Sequence, residues 1–108
     1  MYNNTCVHEI GFEENVEEEM AAIRTFEGRR NLEAIREPLA HRPALETRRR
    51  KILRGIRPPF KAVLPLWELR VGEFRVFYDV NEKENKVYVR AVRRKPPHKT
   101  TEDILRRP

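Results

Sequence analysis

The sequence predicts an α+β fold: an N-terminal helix hairpin packed on an antiparallel sheet, with a C-terminal β-meander and a short last helix. Three observations point there. Residues 13–27 repeat apolar side chains at helical spacing. Residues 66–92 hold three alternating runs separated by two short polar turns. No internal repeat or Gly/Ser linker divides the 108 residues, so residues 1–108 read as a single small domain.

Taken in order, Tyr2–His8 reads as a short first strand. From Glu13 to Glu27, Val16, Met20, Ile23 and Phe26 share one helical face, and Phe12 extends the stripe backwards. Glutamates crowd its first turns, where they favour the positive end of the helix dipole, and Gly28 stops it. A second helix at about residues 30–40, capped by Asn31 or a neighbour, carries Leu32, Ile35 and Leu39. Pro38 and Pro43 limit its length, and the short break folds the two helices into a hairpin. Between Pro43 and Lys61, helical spacing of Leu45, Ile52, Leu53 and Ile56 competes with Thr47, Gly55, Pro58 and Pro59, and a loop with local structure is expected. Leu66–Val71, Phe74–Val80 and Lys86–Val92 are strands, joined by Gly72-Glu73 and by the polar turn Asn81–Asn85. Thr100 or Thr101, with Glu102 and Asp103, opens a last helix ending near Arg106.

Strand parity divides the meander into two faces. Trp67, Leu69 and Val71, then Phe74, Val76, Tyr78 and Val80, then Val87, Val89 and Ala91 form the expected core under the helices. The other face carries Glu68 and Arg70, then Arg75, Phe77 and Asp79, then Tyr88, Arg90 and, just beyond, Arg94. An open face of this kind binds a phosphodiester and stacks a base; the plain alternative is the solvated side of an antiparallel sheet. Arg75 favours the first reading. It sits mid-strand in the most hydrophobic segment, and a guanidinium supplies a planar fork that matches phosphate oxygens.

Charge points the same way. The first 20 residues hold six glutamates and no Lys or Arg. All 23 Lys and Arg lie in the other 88 residues against 11 Asp and Glu, a net +12 there and +6 overall. Such an excess suits RNA, DNA or an acidic protein partner, or serves solubility alone. The run Arg48-Arg49-Arg50-Lys51 is a candidate contact for RNA or for a protein partner. One cysteine, Cys6, excludes an internal disulfide framework and a paired-cysteine zinc site. No His/Asp/Glu cluster has ligand spacing, so neither metal nor other cofactor is expected. With no apolar run of ~20 residues and an acidic N-terminal stretch, a cytoplasmic protein without a membrane partner is expected.

The run Trp67-Glu-Leu-Arg-Val-Gly-Glu-Phe-Arg-Val-Phe-Tyr-Asp-Val80 resembles the hairpin of the RelE/ParE superfamily of type II toxin–antitoxin toxins. His41 to Arg54, with Glu46-Thr47-Arg48 and Arg50-Lys51, is similar to one RelE-like branch, and the helix hairpin and Ala91-Val92-Arg93-Arg94-Lys95 fall in the family's order. The resemblance implies a RelE-like fold and a plasmid-stabilisation type of toxin neutralised by a cognate antitoxin. In the RelE-like branch the toxin is a metal-free hydrolase of RNA, an endoribonuclease cutting mRNA on the ribosome. The alternative is a module of the same fold that is non-catalytic or inhibits DNA gyrase.

Carried over by position, Arg75 matches the family's transition-state-stabilising arginine. Arg93-Arg94-Lys95 falls at a second catalytic arginine, and Arg70 at a basic strand end. Glu68 stands near a lysine of those enzymes, and their C-terminal tyrosine has no counterpart here. Metal-free cleavage needs a base for the 2′-OH, cations for the phosphorane and an acid for the leaving 5′-oxygen. Arg75 and Arg94 are the candidate cations, with His98 or Glu68 for proton transfer. Arg70, Tyr88, Arg90, Arg93, Lys95 and the Arg48–Lys51 run are the candidate RNA contacts.

Overall fold

The structure, a computed structural model, describes residues 8–21, 38–41 and 43–106. Among these, five strands form one sheet in the order β1-β5-β4-β3-β2: β1 (Glu9–Phe12), β2 (Arg50–Leu53), β3 (Leu66–Val71), β4 (Phe74–Asn81) and β5 (Lys86–Arg94). Helix α1 (Glu14–Ala21) follows β1, and α2 (Thr101–Leu105) follows β5. The neighbours β2–β3, β3–β4 and β4–β5 are antiparallel, but β1 runs parallel to β5, so the sheet is mixed rather than antiparallel.

The meander follows its sequence closely. Gly72 takes a left-handed φ of 57°, as the first residue of a two-residue hairpin loop requires. Helix α2 is opened by a capping box: the Asp103 N–H donates to Thr100 Oγ1 (3.1 Å) and the Thr100 N–H to Asp103 Oδ2 (3.0 Å). Those bonds to Thr100 hold the Asp103 carboxyl below the usual range.

Elsewhere the expectations shift. The first strand begins at Glu9, not within residues 2–8, of which only His8 is described. Phe12 belongs to β1 rather than to the helical stripe, because Ile10 and Phe12 pair with Val87 and Val89 and join the core at strand spacing. Helix α1 lies inside the expected 13–27 span, while Ile23, Phe26 and the hairpin turn lie outside the described residues. Of the second helix only Pro38–Ala40 is described, and it is helical. The expected loop after Pro43 contains β2, whose Ile52 and Leu53 point to opposite faces and join opposite cores.

Two apolar layers result. On the first face Val16, Leu39, Trp67, Leu69, Val76, Tyr78, Val87, Val89 and Val92 are buried together. On the second, Phe77, Leu66, Leu53 and Ala91 are covered by Ile104 and Leu105 of α2 and by Ile56, Phe60 and Ala62. The second face is therefore not an open groove; its middle is a second core. A bulge in β5 redistributes parity as well. Phe77 pairs with Ala91 and Tyr78 with Val89, leaving Arg90 as the extra residue. Ala91 thus moves to the second face, Val92 to the first, and Arg94 to the first beside Phe74.

Beyond the end of β1, α1 completes the outer edge of β5. The Glu13 N–H donates to Val89 O (3.1 Å), Asn15 Nδ2 donates to Arg90 O (3.0 Å), and Glu19 Oε1 accepts from the Val92 N–H (2.8 Å). Sheet-edge groups that a strand would otherwise satisfy are bonded by a helix instead. At the centre of the first core, Val76 is fully buried. Val76→Ala is expected to cost about 2–3 kcal/mol, read as a lowered urea midpoint at unchanged slope.

Candidate functional site

At the β3–β4 turn end of the second face, the apolar layer gives way to charge. Cross-strand pairing sets Arg70 opposite Arg75, and Lys51 opposite Glu68. Alternation places all four side chains on this face. Arg75 is 8% exposed, and its Nη1 donates to Gly72 O (2.9 Å) and Phe74 O (2.8 Å). The hairpin turn thereby fixes one arm of the guanidinium, and the rest of the fork has no hydrogen-bond partner among the described residues. Burial and the neighbouring Arg70 charge lower the Arg75 pKa, while Glu68 acts in the opposite direction.

Glu68 is 5% exposed. Its Oε2 accepts from Thr101 Oγ1 (2.7 Å), and its Oε1 lies 3.6 Å from Nζ of the exposed Lys51. The first turn of α2 is therefore tied to the charged end of the sheet. The arrangement combines a positioned guanidinium, a second arginine, a held carboxylate and an ammonium. It can bind an oxyanion and stabilise negative charge that develops on it.

A second polar cluster lies further along the same face, where Asp79 pairs with Tyr88, about 13 Å from Arg75 at ~3.3 Å per strand residue. Arg90 Nε donates to Asp79 Oδ2 (2.7 Å) and its Nη2 to Oδ1 (3.2 Å), while Nη1 pairs with Glu13. Asp79 Oδ2 also accepts from the Val63 N–H (2.9 Å). Burial lowers the Arg90 pKa, but Asp79 and then Glu13 outweigh it, so the net shift is upward. Arg90 is thus buried and engaged, and its guanidinium does not reach solvent as an RNA contact. The half-buried Tyr88 ring lies over Gly11, where an added Cβ would come within 3.2 Å of it, and has Arg90 Cζ 4.9 Å from its centroid.

The remaining candidates are dispersed. Arg94 is on the first face, its Cζ 5.1 Å from the Phe74 ring centroid and its Nη1 3.9 Å from Glu73, so it does not converge with Arg75. The register sets Arg93 opposite Arg75, but its guanidinium pairs with Glu19. The backbone N–H of half-buried Lys95 donates to Glu73 O (2.7 Å), and His98 is exposed in the turn before α2. Arg48 and Arg49 are exposed. Arg50 is buried instead, donating to Pro38 O (2.7 Å) next to the buried Tyr78, whose hydroxyl donates to Pro43 O (2.7 Å). Burial pushes the Tyr78 phenol up, partly offset by Arg50. The sequence marks Thr101 only as a helix opener, and nothing in its spacing signals the bond to Glu68. Among the described residues, no group of His, Cys, Asp and Glu converges to hold a metal ion. Nor is any helix there long and apolar enough to cross a membrane.

The backbone fold of this chain is similar to that of several solved structures. The chain is similar to the archaeal RelE–RelB complex from Pyrococcus horikoshii, at 23% identity and a TM-score of 0.64 over 87% of this chain and 99% of that one. It is also similar to the toxin–antitoxin complex RelBE2 from Mycobacterium tuberculosis, at 15% identity and a TM-score of 0.67 over 87% and 98%. The isolated RelE toxin of E. coli matches at 17% identity and a TM-score of 0.63 over 85% and 88%. The chain therefore has the RelE fold. No protein-family model matches the sequence. No curated protein matches it either.

Proposed function

We propose that the protein is the toxin of a type II toxin–antitoxin system, located in the cytoplasm, and that it cleaves mRNA on the ribosome. The observation that carries the reading is Arg75, anchored through one arm on the turn carbonyls beside Arg70 and Glu68, the rest of its fork having no hydrogen-bond partner among the described residues. Support for an antitoxin partner comes from similar chains solved as RelE–RelB and RelBE2 complexes.

In the proposed reaction Glu68 takes the proton of the 2′-OH as its oxygen attacks phosphorus. Arg75 and Arg70 hold the charge of the phosphorane, Arg70 taking the place first expected for Arg94. The P–O5′ bond breaks, and the carboxyl proton, or one from His98, passes to the leaving oxygen. The products are a 2′,3′-cyclic phosphate and a 5′-hydroxyl. No step calls on a metal ion.

Glu68→Gln is expected to slow cleavage on the order of 100-fold, because an amide cannot accept the proton. Cleavage by Glu68→Gln at the wild-type rate would move the base to His98. The reading as a whole is tested by induced expression with growth curves and mRNA 5′-end mapping. Growth arrest with cuts clustered in translated codons is expected. DNA breaks without mRNA cuts would replace the ribosome by gyrase as target.

A further inference from the structure

An open cavity of about 560 Å³ lies between the turn leading into β2 and the end of β3, away from the Glu68 carboxylate. Its lining includes Pro38, Leu69 and Val71 together with Arg48, Arg49 and Arg70. The turn that presents Arg48 and Arg49 is pinned. The Thr47 N–H donates to Arg50 O (2.8 Å), the Arg49 N–H to Thr47 Oγ1 (3.2 Å), and the Arg70 N–H to Arg49 O (2.6 Å). Most other arginines here are engaged: Arg50 by Pro38 O, Arg54 by Glu46, Arg90 by Asp79, Arg93 by Glu19 and Arg106 by Glu102. Arg48 and Arg49 have no acidic partner among the described residues, while the Arg70 side chain alternates away from Leu69 and Val71 toward Arg75.

We infer that this cavity docks an acidic, aliphatic peptide segment of a partner protein. A leucine-type side chain would rest on Pro38, Leu69 and Val71, and flanking carboxylates would meet Arg48 and Arg49. The inference rests on the antitoxin reading for the partner's existence and adds where and by what chemistry that partner is held. Charge complementarity selects an acidic occupant. The lining selects peptide over RNA: it holds aliphatic side chains and no aromatic ring, so a base has nothing to stack on. A volume of this size accommodates one or two apolar side chains with their polar neighbours.

The test titrates the ¹⁵N-labelled full chain with a short peptide of alternating glutamate and leucine, an all-glutamate peptide of equal length, and oligouridine. The alternating peptide is expected to shift the amides of residues 47–50 and 69–72 and to bind about tenfold tighter than the all-glutamate peptide. The double variant Arg48→Glu, Arg49→Glu is expected to weaken it by about tenfold or more, with the circular-dichroism spectrum unchanged. Val71→Thr, which puts a hydroxyl on the floor at constant volume, is expected to erase the preference for leucine. Equal binding of the two peptides, shifts elsewhere, no binding, or oligouridine displacing the peptide from these amides would each overturn the inference. None of those results touches the cleavage reading, which stands or falls on mRNA cuts; conversely, peptide binding without cuts would keep the dock and remove the nuclease.

Discussion

Replacing Arg75 by alanine is expected to lower the rate of ribosome-dependent cleavage by about 100-fold or more while the protein stays folded. A preorganised cation acts on charge that appears only in the transition state, and losing one such donor typically costs 10²–10³ in rate. Arg75 is suited to that role because Gly72 O and Phe74 O hold one of its arms, so little reorganisation accompanies binding of the phosphorane oxygens. Arg75→Lys is expected to restore only part of the rate: the ammonium keeps the charge, but it cannot bond both carbonyls and an oxyanion in one plane. Single-turnover kinetics separates this loss from weaker ribosome binding, which would change the concentration dependence instead.

The largest stability effect is expected at Asp79. It is 2% exposed and holds Arg90 through two hydrogen bonds. Asp79→Ala leaves a buried guanidinium with only the half-exposed Glu13 and leaves the Val63 N–H without its acceptor. Breaking a buried pair from one side costs about 3–5 kcal/mol, a large part of the 5–15 kcal/mol available to a small domain. Urea denaturation should therefore place the variant close to unfolding in water. The double variant Asp79→Ala, Arg90→Met is expected to recover a large part of the loss, since removing both charges leaves none uncompensated. A single variant costing under about 1 kcal/mol would mean that water solvates the pair.

Much of the fold was legible in the chain. The alternation in Leu66–Val71 and Phe74–Val80 gave those strands almost residue for residue, and Thr100 with Asp103 gave the last helix. Three things were not. Strand β2 hides in a basic sequence, Arg-Lys-Ile-Leu, because each of its faces receives one apolar and one charged side chain. The bulge at Arg90 leaves no local signal: Val89-Arg90-Ala91-Val92 fits an unbroken alternation equally well, yet one extra residue sends Ala91 and Arg94 to opposite faces from those expected. Burial of the second face depends on Ile104 and Leu105, remote in sequence from the Phe77 they cover.

Of the candidate site, parity correctly grouped Arg70, Arg75 and Glu68 on one face. It could not separate exposed from engaged arginines. Arg50 and Arg90 differ from their neighbours only in meeting Pro38 O and Asp79, contacts that long-range folding creates. In the sequence Lys51 belongs to the basic run, and only the register of β2 against β3 brings it to Glu68.

The most direct test of the central claim incubates the purified protein with ribosomes holding an mRNA and an empty A site, and scores cuts by primer extension. The account predicts cuts within the A-site codon, none on the same mRNA without ribosomes, and a rate about 100-fold or more lower for Arg75→Ala. Cleavage by Arg75→Ala at the wild-type rate, or no cleavage by the folded wild-type protein, would contradict it.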